Sequence, residues 1–242
     1  MRSKLFAVAA LLIVASMVLA ACQPAAAPAP ETIVRLARET PGLEILAVGP
    51  MTNLARALAL DPELPSRVAG LTVMGGHIRQ AAMGGRIFPP GIDYNLCSDP
   101  EASVAVLGAG FRTTLVTADV TLQVWLRPDD VEALDATGPL GRAVAAQIRV
   151  WDPVQRKLFT GMGGEMAPDN VSFLHDPLAA LALIDPAPLC FERLRVLPTV
   201  EAGTFRTLEV DPVSGLGAPM AVATRVDARA AERAIVARLT RR

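Results

Sequence analysis

At 242 residues, 52% hydrophobic and 19% charged, the chain is long enough to bury the core of one sizeable α/β domain. Its net charge of -1 leaves no basic excess to neutralise phosphates, and aromatic residues at 4% offer few stacking platforms. Nucleic acid is therefore excluded as a partner.

In chain order, Arg2 and Lys4 supply a short positive region, and Leu5 to Val18 form an apolar run too short to cross a bilayer comfortably. Leu19-Ala20-Ala21-Cys22 is a small-residue site ending in cysteine. The pattern resembles a bacterial lipoprotein signal, which implies residues 1–21 as a signal peptide and Cys22 as the lipidated residue. Residues 22–30 then read as an extended Pro/Ala tether. The expected location is the bacterial cell envelope, with the domain of residues 31–242 held to a membrane by its lipid anchor and facing outward. The competing reading is an ordinary secretory signal cut after Ala20 or Ala21.

Beyond the tether, helix-like and strand-like segments alternate. Apolar spacing predicts a helix over Thr32 to Arg38, a strand over Leu43 to Val48, and a helix over Leu54 to Leu60. A buried strand over Leu71 to Met74 ends at Gly75-Gly76, Asp99-Pro100-Glu101 starts a helix running to Leu107, and Thr113 to Val116 is a β-branched strand. Pro128 opens one helix and Leu140 to Phe159 forms a longer one. Strands follow over Arg193 to Leu197, Thr207 to Val210 and Met220 to Thr224, and an amphipathic helix over Ala228 to Leu239 closes the chain. The order predicts an α/β fold: an open, mostly parallel sheet with flanking helices. Cys97 and Cys190 are expected to be buried thiols, and their spacing does not suggest zinc.

Two polar clusters interrupt this apolar sequence, Asp93-Tyr94-Asn95 and His175-Asp176-Pro177. Open parallel sheets bind ligands outside the carboxyl ends of their strands, and the loops after Val48, Met74 and the segment before Asp93 all follow such ends. Paired acidic and amide groups there suit a polar small molecule. On the plainer reading, Asp176 caps a helix of Leu178 to Ile184 with Pro177 in its first turn, and His175 is a packed core histidine.

Taken in order, Val48-Gly49-Pro50-Met51-Thr52-Asn53-Leu54-Ala55, Val73-Met74-Gly75-Gly76, Asp93-Tyr94-Asn95, Asp99-Pro100-Glu101-Ala102, Leu115 to Thr121 and His175-Asp176-Pro177-Leu178-Ala179 resemble the inosine/uridine-preferring nucleoside hydrolases. The resemblance implies hydrolysis of the N-glycosidic bond of ribonucleosides to ribose and free base, with bound Ca²⁺. It implies Asp176 as a calcium carboxylate, Val48 as a backbone-carbonyl ligand, His175 as the leaving-group histidine, Met74 as packed near the ribose, and Asp93 and Asn95 as grips on ribose hydroxyls. Thr52, Asn53 and Asp99 read as turn and cap residues. A homo-oligomer is left open, with no interface legible.

The departures are specific. The family opens with a strand and an Asp-x-Asp-x-x-x-Asp-Asp cluster, whereas between Cys22 and Val48 this chain carries only Glu31, Glu39 and Glu44 as acidic residues. The family's glutamate is shortened to Asp93, and Met83 to Ile92 is rich in Gly and Pro. Early strands of the family's sheet are expected to be missing, the calcium shell incomplete, and the chain a poor catalyst. Two alternatives stand beside this: a noncatalytic envelope lipoprotein that binds ribose or nucleosides, and a nonfunctional truncated product.

Overall fold

The computed structural model describes residues 28–91 and 93–241; the expected signal peptide, Cys22 and most of the tether lie outside them. Helix α1 (Ala29–Glu39) begins inside the expected tether, so Ala29 and Pro30 are helical rather than extended, with proline in the first turn, where its missing N–H costs nothing. The remaining elements are β1 (Glu44–Ala47), α2 (Thr52–Leu60), α3 (Leu64–Arg67), β2 (Gly70–Met74), β3 (Ala81–Met83), β4 (Arg86–Phe88), α4 (Tyr94–Cys97) and α5 (Pro100–Leu107). They continue with β5 (Thr113–Val116), α6 (Ala118–Thr121), β6 (Trp125–Leu126), α7 (Pro128–Asp135), α8 (Pro139–Gly161), β7 (Ser172–Phe173) and α9 (His175–Ile184). Strands β8 (Leu189–Glu201), β9 (Thr204–Val210) and β10 (Ala218–Val226) and helix α10 (Ala228–Leu239) complete the chain.

Six strands form the central sheet in the order β1-β2-β5-β10-β8-β9. The first four run parallel, and β8 and β9 add antiparallel edges. Every residue of β2 is buried, as expected of a strand covered on both faces. Alternation divides the core in two. Leu71, Val73, Leu115 and Val222 pack toward α1, α2 and α5 with Val34, Leu54 and Val106. Their neighbours Met74, Val116 and Ala223 pack on the other face toward α9 and α10 with Leu178, Leu181 and Ile235. Each fully buried side chain of this kind contributes about 1.5–3 kcal/mol.

Charged side chains tie the helices down where apolar contact thins. Buried Glu232 of α10 accepts from Arg127 Nη1 at 2.5 Å, from Arg229 at 3.2 Å and from the Trp125 backbone N–H at 3.3 Å. Arg127 also reaches Asp169 at 2.9 Å, so one guanidinium joins α10 to the loop before β7. Asp61 likewise receives Arg38 and Arg67, each at 2.9 Å, linking α1 to the end of α2 and to α3.

In the Gly- and Pro-rich stretch after β2, β3 and β4 pair as a short antiparallel hairpin through Gly84-Gly85. Two expectations need correction. Strand β8 extends beyond Arg193 to Leu197 at both ends: pairing with β10 from Leu189↔Val226 carries its exposed start, and pairing with β9 from Arg195↔Val210 to Glu201↔Thr204 carries its far end. Both cysteines are free, as expected, but Cys97 is only partly buried and Cys190 is exposed.

Candidate functional site

Strand β2 ends at Met74, and the chain turns through Gly75-Gly76 against the start of α4. A Cβ on Gly75 would stand 2.8 Å from Leu96 Cγ and 3.4 Å from Asp93 Oδ1, so glycine is what allows this close approach. Asp93 is only 8% exposed. It caps α4 by accepting the Leu96 N–H at 3.0 Å. Burial pushes its carboxyl pKa up, opposed by the backbone N–H groups of Leu96, Gly76 and Asn95. Asn95 Nδ2 donates to the Met74 carbonyl at 3.0 Å and contacts its sulfur at 3.2 Å. Met74, Asp93 and Asn95 therefore form one bonded group at the carboxyl end of β2.

A second group forms one strand away. The Ala118 N–H donates to Gly76 O at 2.8 Å, Gly75 N–H to Val116 O at 3.2 Å, and Ile78 N–H to the buried Asp119 carboxylate at 3.1 Å. These bonds stitch α6, at the carboxyl end of β5, to the loop after β2. From α6, Thr121 Oγ1 reaches His175 Nδ1 at 2.6 Å and the Ala118 carbonyl at 3.3 Å. The His175 ring also stacks obliquely on Phe173, with centroids 5.4 Å apart. Burial lowers its pKa from 6.5 to about 4. The ring is thus neutral at pH 7 and keeps one N–H. Which nitrogen carries it follows from the way Thr121 spends its single hydroxyl proton.

The plainer reading of Asp176 is corrected here. Helix α9 starts at His175 rather than Leu178, its N-cap is Leu174, and no side chain caps it. Asp176 lies exposed in the first turn, and partial burial of its carboxyl raises its pKa. Val48 is exposed just past β1, one of the three strands against which α9 packs. Val48 and Asp176 stand outside both bonded groups. Thr52 and Asp99 behave as turn and cap residues: the Thr52 hydroxyl donates to the Asp99 carboxylate, which also accepts the Ala102 N–H at 3.2 Å.

His77 was not singled out from the sequence. It is 8% exposed, its N–H donates to Thr207 Oγ1 at 3.0 Å, and its Nε2 has no hydrogen-bond partner among the described residues. The available signal was its place directly after Gly75-Gly76, as one of only two histidines in the chain. Thr121, the partner of His175, lies in the quoted Leu115 to Thr121 motif, but nothing in the sequence pairs the two.

A calcium ion wants six to eight oxygen ligands. Among the described residues, no three His, Cys, Asp or Glu side chains come together to hold a metal. One carboxylate, Asp176, and one carbonyl, Val48, do not make that shell, so no chemical step is routed through a metal here. Cavities of about 390 and 210 Å³ open elsewhere, beside α1 and between α7 and α8.

The profile of the inosine-uridine preferring nucleoside hydrolase family matches residues 9–234. A pyrimidine-specific ribonucleoside hydrolase of Salmonella newport is 32% identical over 170 residues, covering 68% of this chain and 51% of the relative. A probable uridine nucleosidase of Arabidopsis thaliana is 31% identical over 160 residues, covering 65% and 46%. The chain spans about half the length of these curated relatives. Among solved structures, a plant nucleoside hydrolase superposes with a TM-score of 0.74 at 25% identity, covering 91% of this chain and 69% of its own. A purine-preferring ribonucleoside hydrolase from Gardnerella vaginalis, at 24% identity and also 0.74, covers 88% and 66% and shares the fold. The chain belongs to the inosine-uridine preferring nucleoside hydrolase family.

Proposed function

We propose that the carboxyl ends of β2 and β5 form the sugar and base side of a ribonucleoside site, and that the reaction class is hydrolysis of the N-glycosidic bond to ribose and free base. The observation that carries this is the stitching of two polar groups into one rim: Met74, Asp93 and Asn95 where the end of β2 meets α4, and Thr121 of α6 with His175 of α9. In this reading Asn95 and Asp93 hold ribose hydroxyls and Met74 packs beside the sugar. His175 faces the base as a hydrogen-bonding group. With a pKa of about 4, only on the order of one ring in a thousand is protonated at pH 7, so His175 stabilises a departing base through its neutral N–H rather than as a strong acid.

Breaking the bond builds positive charge on the ribose, and water must lose a proton as it attacks. We place Asp176 and the Val48 carbonyl at the edge where a cation such as Ca²⁺ would sit; two such ligands alone would retain it weakly. No cluster of carboxylates completes that edge among the described residues, and general-base help is worth about 10²–10⁴ in rate. Binding with slow turnover is the expected behaviour. Assaying reducing sugar from inosine and uridine in millimolar calcium, beside the Salmonella newport relative, tests this. Turnover at least about 100-fold below the relative is expected; comparable turnover abolished by Asp176→Ala would refute the attenuation. On Arg2, Lys4, the apolar run to Val18 and the placement of Cys22, we also propose an envelope location with a lipid anchor at Cys22.

A further inference from the structure

The half-buried ring of His175 has one nitrogen engaged within the protein and one left over. Thr121 Oγ1 stands 2.6 Å from Nδ1. Among the described residues, nothing hydrogen-bonds Nε2. A neutral imidazole carries its single proton on one of these two nitrogens, so the partner at Nδ1 decides whether Nε2 offers an N–H or a lone pair.

Thr121 is placed to make that decision. It is fully buried, and β-branching restricts its χ1. The backbone beneath it is fastened at three points: the Ala118 N–H donates to Gly76 O at 2.8 Å, the Asp119 carboxylate accepts the Ile78 N–H at 3.1 Å, and Gln123 Nε2 donates to the Asp119 carbonyl at 2.9 Å. His175 is registered from the other side. The Leu174 N–H donates to the carbonyl of Val124, just past Thr121, at 2.9 Å. Phe173, paired with Trp125 across β6 and β7, lies against the His175 ring with centroids 5.4 Å apart.

The Thr121 hydroxyl has one proton and two acceptors in reach, His175 Nδ1 at 2.6 Å and the Ala118 carbonyl at 3.3 Å. That carbonyl already accepts the Leu122 N–H at 3.0 Å, whereas Nδ1 has no other partner among the described residues. A separation of 2.6 Å is ordinary for a hydroxyl donor but shorter than the usual N–H···O range. Both observations assign the hydroxyl proton to the His175 bond: Thr121 donates, Nδ1 accepts, and the ring's own proton is held on Nε2.

We propose that Thr121 is a positioning residue for the base side of the site: its hydroxyl locks His175 in the Nε2–H tautomer, so that a nucleoside is recognised through a lone pair on its base. This inference rests on the ribonucleoside reading of the rim. Uracil offers such acceptors as carbonyl oxygens, and hypoxanthine as a carbonyl oxygen and ring nitrogens. The other tautomer would set lone pair against lone pair. Negative charge gathers on the base as the N-glycosidic bond breaks, so a donor already locked in place strengthens its bond along the reaction without rearranging.

Ring nitrogen–proton correlation spectra of the full chain, labelled at histidine with nitrogen-15 and recorded at about pH 8, where a free imidazole is also neutral, read the tautomer directly. The chain has two histidines, and His175→Ala identifies the signals of each. Wild-type His175 is expected to carry its proton on Nε2 and to show a hydrogen-bonded, unprotonated Nδ1. Thr121→Val, which keeps the shape but not the hydroxyl, should lose that Nδ1 signature, and Thr121→Ser should keep it. In calorimetric titration, uridine affinity should fall about tenfold in Thr121→Val, the worth of one polar contact, and be restored in Thr121→Ser. In a His175→Ala background the same Thr121→Val change should leave affinity unaltered, because Thr121 acts through the ring; a purely structural role would weaken binding there too. A proton on Nδ1 in wild type overturns the proposal while leaving the nucleoside reading intact, as does an equal effect of Thr121→Val in both backgrounds. An Nε2–H ring in a wild-type chain that gives no saturable heat with uridine overturns the base contact and the nucleoside reading together.

Discussion

Replacing His175 with Gln probes the buried ring through the pH dependence of stability. The folded histidine titrates at about 4 because burial disfavours its charged form, against 6.5 when free. As pH falls, the unfolded chain takes up the proton first. The contribution is therefore fully present above about pH 6.5, is lost progressively between 6.5 and 4, and changes little below 4. At about 1.36 kcal/mol per pH unit, wild type loses about 2 kcal/mol by pH 5 and about 3 kcal/mol by pH 4 through this group alone. His175→Gln costs packing at every pH but removes the titration, so the stability gap between the two proteins narrows by about 3 kcal/mol from pH 7 to pH 4. Urea unfolding at pH 7, 5 and 4 measures that gap. Parallel pH curves for the two proteins would show that the ring is not held neutral by burial, and the hydrogen-bonding role given to it would fall with that result.

Glu232→Ala removes the buried carboxylate that Arg127, Arg229 and the Trp125 N–H share; a loss of about 3 kcal/mol in urea unfolding is expected, and a loss under 1 kcal/mol would contradict the role of this network. Gly75→Ala drives a methyl to within 2.8 Å of Leu96, pushing α4 away from β2, so nucleoside binding should weaken more than overall stability; unchanged affinity would remove Asp93 and Asn95 from the site. Metabolic labelling with palmitate in a bacterial host should mark wild type and spare Cys22→Ala. Equal labelling of the two would refute the anchor.

What was legible in the sequence follows from how each element is held. The closing helix Ala228–Leu239 and the strand Thr113–Val116 were readable to the residue, because one presents an amphipathic face and the other an apolar β-branched run bounded by polar residues. The β3–β4 hairpin was not: three-residue strands have no period to detect, and a pair of glycines reads as loop until a partner fixes the register. Strand β8 was cut short because Pro198 interrupts the run at one end and exposed Cys190 and Glu192 at the other, and both ends are strand through pairing with β9 and β10. At the site, the carboxyl-end positions of Met74 and of the Asp93 to Asn95 segment were readable, but their bonding and the place of His175 beside them were not. Local spacing suggested that Asp176 capped a helix, whereas α9 starts at His175 because Leu174 is pinned to the Val124 carbonyl at 2.9 Å, a contact 50 residues distant in sequence. The pairing of Thr121 with His175 across 54 residues was invisible for the same reason.

Calorimetric titration of the full chain with uridine and inosine, in parallel with Asn95→Ala, tests the proposed rim most directly. Saturable heat is predicted for wild type, with affinity about tenfold weaker in the variant, the ~1.4 kcal/mol equivalent of one polar contact to the sugar. Absence of saturable heat in wild type, or identical isotherms for the two proteins, would contradict a nucleoside site at the ends of β2 and β5.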